Sequence, residues 1–139
     1  MGSKYWPKQT TTINDFIKGE MMRITCKKGF LAMFYFLEEM YFNDTSQGDL
    51  GALLGDLNPN LFSDGMSADI AAWRDWEGIF AQVNTNTILN SQEVYQAVEK
   101  FLEMYQSQYG FNITGIIEEI KNSNKLFEKW EQVIGKVGI

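Results

Sequence analysis

A pattern of apolar and acidic residues occurs twice along this chain of 139 residues. Residues 24–80 align with residues 89–134, with gaps confined to the segments between the apolar runs. Within the alignment, Phe36-Leu37-Glu38 corresponds to Phe101-Leu102-Glu103. Because a repeated sequence folds into a repeated supersecondary unit, one unit used twice is predicted. Independent helices that share similar apolar spacing are the alternative explanation.

Each copy contains apolar residues at the three- and four-residue spacing of one helix face. In the first copy the runs are Phe30, Met33, Phe34, Leu37, Met40 and Tyr41, then Leu50, Leu53, Leu54 and Leu57, then Trp73 and Trp76. In the second copy they are Val94, Val98, Phe101, Leu102 and Tyr105, then Ile113, Ile116, Ile117 and Ile120, then Phe127 and Trp130. No segment shows the sustained alternation typical of a strand, so essentially no sheet is expected. The predicted fold is an all-α single domain, a helical bundle or array of two pseudo-repeated three-helix units.

Polar residues stand where these helices are predicted to begin. Thr25 and Asn90 precede the first helix of each copy and are good N-cap residues. Glu93 lies three residues after Asn90, which is the spacing of a capping box. Ser123 is expected to cap the last helix.

The two ends of the chain lie at or beyond the limits of the repeat. The last helix is expected to bury Leu126, Phe127, Trp130, Val133 and Ile134 on one face, and Gly135 and Gly138 are predicted to end it. Residues 1–23 form an N-terminal extension, in which a short helix is expected over Asn14–Met22.

The residues that the chain lacks exclude several kinds of site. There is no histidine and only one cysteine, Cys26, so an internal disulfide, a Cys/His zinc site and a Cys–His nucleophile pair are all excluded. No nucleotide-binding or hydrolase motif is present. No signal peptide is apparent, and the longest apolar run, Phe30 to Leu37, is too short to span a bilayer. A cytoplasmic protein without metal or cofactor is therefore expected.

Catalysis by paired carboxylates is the enzymatic alternative. Asp49 with Asp56, or Asp69 with Asp75, could act as general acid and base if each pair met in space. Carboxylates along helix rims are more typically solvated, so the chain is predicted to have no catalytic residues and not to be an enzyme.

Negative charge is concentrated in one segment. The whole chain has a formal charge of −6, and residues 44–77 contain seven acidic residues against Arg74 alone. Such a segment repels nucleic acid and attracts a basic protein surface.

The same segment contains the main difference between the two copies. In the first copy a loop over Asn58–Ala68 is inserted before the third helix, where the second copy has only Lys121-Asn122-Ser123. Long loops on rigid scaffolds often carry function, although a solvated connector without partner contacts is equally consistent with the sequence. Trp73, Trp76 and Trp130 stand at helical spacing and are expected to pack in the core or between helices. Trp73 and Trp76 cannot both point directly inward unless their helix is well covered, so one of them is also a candidate anchor for a partner.

Two motifs in this region resemble a known class of proteins. Asp49-Leu-Gly-Ala-Leu-Leu-Gly-Asp56, followed by Ser63-Asp-Gly-Met-Ser-Ala-Asp-Ile-Ala-Ala-Trp-Arg-Asp-Trp76, is similar to segments of immunity proteins from bacterial polymorphic-toxin and contact-dependent growth inhibition loci. The resemblance implies a non-catalytic cytosolic protein that binds and neutralises a cognate toxin domain. If that toxin is a nuclease, its basic substrate cleft would suit an acidic inhibitor.

The acidic segment is accordingly the predicted partner-binding surface. Its carboxylates are expected to face basic toxin groups while an aromatic residue anchors the contact. The predicted partner-binding residues are Asp44, Asp49, Asp56, Phe62, Asp64, Asp69, Trp73 and Asp75. No binding residue is transferred from the resembled proteins, and a non-catalytic helical adaptor is the alternative function.

Overall fold

The computed structural model describes residues 23–59, 70–84 and 88–137. The described residues form six helices and confirm the predicted all-α fold. The helices are α1 (Cys26–Asn43), α2 (Leu50–Leu57), α3 (Ile70–Val83), α4 (Ser91–Tyr109), α5 (Thr114–Asn122) and α6 (Asn124–Val137). Both the extension before residue 23, with its expected helix over Asn14–Met22, and most of the inserted loop lie outside the described residues.

The predicted caps are present at three helix starts. The Thr25 hydroxyl accepts a hydrogen bond from the Lys28 amide at 3.2 Å. Asn90 and Glu93 form the reciprocal capping box, with both bonds 2.9 Å long. The Ser123 hydroxyl accepts from the amide of Leu126 at 3.1 Å. Each bond satisfies an amide that the first helical turn leaves without a partner.

The prediction that Gly135 ends the last helix was wrong, whereas the expectation of essentially no sheet holds in the described residues apart from two very short strands. Helix α6 continues through Gly135 to Val137, because the apolar face extends past the glycine to the partly buried Val137. A two-stranded sheet is also present, formed by β1 (Ile24–Thr25) and β2 (Ile88–Leu89). Strands of two residues are too short to give an alternating pattern.

The two sets of three helices have matching internal contacts. The indole Nε1 of Trp76 donates to the carbonyl oxygen of Cys26 at 2.9 Å, and that of Trp130 donates to the carbonyl oxygen of Ser91 at 3.0 Å. These four residues are two aligned pairs of the sequence repeat. We call β1 with α1–α3 the first unit and β2 with α4–α6 the second unit.

The units interlock, because the third helix of each unit packs chiefly on the first helix of the other. Phe36 of α1 packs edge-on against Trp130 of α6, with 5.3 Å between ring centroids. Its counterpart, Phe101 of α4, packs edge-on against Trp76 of α3 at 5.8 Å. The sequence spacing left Phe36 off the predicted buried face, yet this exchange buries it completely.

Aligned residues also meet each other, as expected along a pseudo-twofold axis. Ile24 pairs with its counterpart Leu89 in the antiparallel sheet. A Cβ built on Gly29 would lie 3.2 Å from Cγ1 of its counterpart, Val94. The predicted leucine and isoleucine runs of α2 and α5 are buried in one continuous core.

Candidate partner-binding surface

The described part of the acidic segment begins at the connection between α1 and α2, residues 44–49, which we call the acidic turn. The Asp44 carboxylate is exposed and its Oδ1 accepts hydrogen bonds from the hydroxyl of Ser46 at 2.5 Å and from the Ser46 amide at 3.0 Å. These bonds, the hydroxyl bond first, hold the pKa of Asp44 below its usual value because they stabilise the ionised form. The turn therefore keeps a negative charge at an exposed position.

The second unit holds the acidic turn in place. The Asp49 amide donates to the Asn112 carbonyl oxygen at 3.0 Å, and the Asn112 amide donates to Oδ2 of Asp49 at 2.7 Å. Gly48 has a φ of 52° and packs so closely that an added Cβ would lie 2.1 Å from the Asn112 oxygen. Gln47 also donates to Oε1 of Glu119 at 3.4 Å. These contacts fix the backbone of the turn, so its surface needs little ordering when a partner binds.

Phe42 is the most exposed of the large apolar side chains in the described residues. It lies in the last turn of α1, directly before the acidic turn, and is 70% exposed. Its ring contacts Tyr41 at a centroid separation of 6.1 Å. Sequence reasoning did not select it, although the spacing offered a signal: Phe42 falls outside the apolar face from Phe30 to Tyr41 and so had no predicted core partner.

Two of the predicted partner-binding residues, Trp73 and Asp75, make contacts within the fold. The Trp73 ring is half-buried and packs edge-on against Phe30 at 5.4 Å. Asp75 is half-buried on α3 and accepts from the hydroxyl of Tyr109 at 2.9 Å and from that of Tyr105 at 3.3 Å. Both residues help to join α3 to its neighbours, which reduces the part of each that is available to a partner.

The other predicted residues fall into two groups. Asp44 and Asp49 lie at the two ends of the acidic turn, and both are exposed. Asp56 is half-buried near the end of α2 and has interactions of its own within the fold. Since Asp56 lies about 10 Å along the helix axis from Asp49, these two carboxylates do not form a close acid–base pair. Phe62, Asp64 and Asp69 lie outside the described residues.

The electrostatics around the acidic turn are one-sided. Within the part of the chain that the structure describes, Glu38, Asp44, Asp49 and Glu119 are in no ion pair. Lysines do pair elsewhere: Lys129 with Glu39 and Lys121 with Glu103, each at 2.9 Å. Unpaired carboxylates beside an exposed aromatic ring form a surface that favours a basic partner with an apolar contact point.

The described residues contain no group of three or more carboxylate and thiol side chains placed to hold a metal ion. No helix among them is both long and apolar enough to cross a membrane. No protein-family model matches the sequence, and searches of the curated proteins and of the solved structures likewise returned no match.

Proposed function

We propose that this protein is an immunity protein that binds and neutralises a cognate bacterial toxin domain in the cytosol. The observation that supports the proposal best is the rigid acidic turn beside exposed Phe42. The protein acts stoichiometrically, as an inhibitor and not as an enzyme. Its partner presents a basic surface, and a nuclease is the toxin class that such a surface fits best, because a nucleic-acid cleft must itself be basic.

Electrostatic steering gives this arrangement a functional purpose. An immunity protein must capture its toxin faster than the toxin reaches its substrate. Complementary charges raise association rates by one to three orders of magnitude at low ionic strength, and salt removes most of this gain. The unpaired carboxylates of the acidic turn supply that field, while nearby apolar contacts slow dissociation.

The test is binding of the full chain to the toxin domain encoded immediately upstream, measured by calorimetry and stopped-flow mixing at two salt concentrations. Asp44→Lys is expected to slow association about tenfold at low salt, and the difference from wild type should shrink at high salt. Glu128→Lys is the matched control, because it makes the same change in net charge at an exposed position on α6, in the other unit. Glu128→Lys should alter the association rate by less than about threefold.

If Asp44→Lys and Glu128→Lys changed the association rate equally, only the net charge of the protein would matter. The acidic turn would then not be the surface that the toxin binds. No binding to any neighbouring toxin domain would favour the adaptor function instead.

A further inference from the structure

The internal repeat provides a control for what the fold itself requires at each surface position. Helices α1 and α4 correspond residue by residue, and corresponding residues have the same burial at nearly every position. Residues 35 and 100 are exposed in their respective units, as are residues 42 and 107. The first unit has Tyr35 and Phe42 there, whereas the second has Lys100 and Ser107.

The second unit shows that this helix folds with polar residues at both positions. The fold therefore does not require an aromatic side chain at either position, although the Tyr35 ring packs edge-on against Phe34 and the Phe42 ring contacts Tyr41. Phe42 is 70% exposed and Tyr35 is 37% exposed, and both remain in contact with water although the fold does not need them. Apolar surface that is contiguous and rimmed by polar groups marks interaction sites, whereas single exposed residues do not, so the relative position of the two rings matters.

Tyr35 and Phe42 lie two helical turns apart on one face of α1. Glu38 lies between them on that face, and Asp44 follows just beyond the end of the helix. Glu39, which is also between them, is already paired with Lys129 of α6. The two rings are thus bordered by carboxylates, Glu38 and Asp44, that have no cationic partner in the described residues.

We infer that the α1 face formed by Tyr35, Glu38 and Phe42 is the docking surface for the protein partner, with Phe42 as its anchor. The partner's complementary surface is an apolar recess bordered by lysine or arginine side chains. This inference rests on the proposed function and names the surface that performs it. Aromatic residues at the centre of an interface commonly supply most of its binding energy, and the surrounding charges provide orientation.

The charges on this face argue against two other occupants. A second copy of the chain would meet the face through a twofold axis, which places two identical faces against each other, each with the carboxylates of Glu38 and Asp44 and no cation among the described residues to pair with them. A nucleic acid would be repelled by the same groups. A basic protein surface is the occupant whose charge complements the face.

Exchange of residues between the repeat positions provides the test. Phe42→Ser introduces the residue found at the counterpart position, and Tyr35→Gln removes the second ring without adding charge. Ser107→Phe is the matched control, because it places an exposed phenylalanine at the corresponding position of the second unit. All three variants should melt within about 3 °C of wild type, because the positions are exposed.

Each full-length variant is titrated against the toxin domain encoded upstream. Phe42→Ser is expected to weaken binding about 30-fold and Tyr35→Gln about 5-fold, mainly through faster dissociation. Ser107→Phe should leave the affinity within about twofold of wild type. If wild type binds the toxin domain and Phe42→Ser binds equally well, the inference is overturned while the proposed function stands.

If the wild-type chain binds no such toxin domain, the proposed function fails and a second experiment tests the surface. Displayed random peptides are selected on wild type and counter-selected on Phe42→Ser. Recovery of peptides that combine basic residues with an apolar side chain, and that fail to bind Phe42→Ser, supports the docking surface. Recovery of none, or of peptides that bind both proteins equally, overturns it.

Discussion

Cys26 shows how the repeat reuses one local environment with different chemistry. Its counterpart, Ser91, donates a hydrogen bond from its hydroxyl to Oε2 of Glu131. Glu77, the counterpart of Glu131, acts on Cys26 through its negative charge. Burial first, and this charge second, raise the pKa of the thiol to about 12, while a hydrogen bond with Trp76 opposes the shift. The raised pKa keeps the thiol protonated at neutral pH, and a protonated thiol is a poor nucleophile.

This environment predicts an unreactive cysteine. At pH 8, modification of native Cys26 by a disulfide reagent should be roughly 1,000-fold slower than in the urea-unfolded chain, because only the thiolate reacts. The rate should continue to rise with pH well above 9. A rate that levels off near pH 9 would contradict the raised pKa.

The effect on stability has a defined sign. Since the folded-state pKa lies above the model value of 9.0, the stability that the protonated thiol contributes is complete below about pH 9 and is lost as pH rises toward 12. Denaturant unfolding of Cys26→Ser should accordingly show a shallower alkaline loss of stability than wild type. Equal losses in the two proteins would show that Cys26 does not contribute to this dependence.

At the scale of the helices, glycines inside a helix affect stability differently according to whether they are exposed or buried. Gly55 of α2 and Gly78 of α3 are exposed, and among the described residues a Cβ added at either would meet no atom within 4 Å. Gly29 of α1 is buried, and a Cβ there would lie 3.2–3.3 Å from the side chains of Trp76, Val94 and Phe80. The first two glycines weaken their helices for no packing reason, whereas the third makes room where α1 and α4 meet.

Alanine substitution should separate these roles. Gly55→Ala and Gly78→Ala are each expected to raise the free energy of unfolding by about 0.5–1 kcal/mol, because alanine has the higher helix propensity. Gly29→Ala gains the same propensity but overpacks the core, and it should lower the stability by about 1 kcal/mol overall. Urea titrations of the three variants measure these differences. Stabilisation by Gly29→Ala would show that the core has spare volume at this position.

The elements that were predicted correctly are those determined by interactions between residues close together in the sequence. Apolar spacing and polar caps gave the helices of both units, since a helix face and its first turn depend on neighbours three or four residues away. The two short strands were missed because each pairs only with a strand of the other unit. Phe36 was left off the predicted face, although its counterpart Phe101 was placed on the equivalent face. Likewise, Gly135 continues its helix because a tertiary contact outweighs its local preference.

The candidate surface was predictable only in part, for the same reason. The charge count located the acidic turn through Asp44 and Asp49. It could not reveal that Asn112 uses the Asp49 carboxylate, nor that Tyr109 and Tyr105 use Asp75, since these are contacts between units. Phe42 becomes recognisable as a candidate anchor once the structure shows that its side chain is 70% exposed.

At the scale of the whole molecule, interlocking determines how stability is distributed. Each unit's third helix packs chiefly on the other unit's first helix, and Trp76 and Trp130 are at the centres of these two contacts. Neither unit can therefore open without exposing the other's core. The two units should therefore unfold as one cooperative structure, as expected of a single domain.

Replacing the two tryptophans one at a time tests this coupling. Trp76→Phe and Trp130→Phe each remove the indole donor to a main-chain carbonyl, of Cys26 and of Ser91, and leave a small cavity. Each should lower the free energy of unfolding by about 2–4 kcal/mol. Hydrogen exchange should then show amide protection falling by the same amount in α1 and α4 of either variant.

Trp73→Phe is the matched control: its ring is half-buried and its counterpart is Phe127, so amide protection should fall little. Loss of protection in only one unit would show that the pseudo-symmetric halves are energetically independent despite their exchanged contacts.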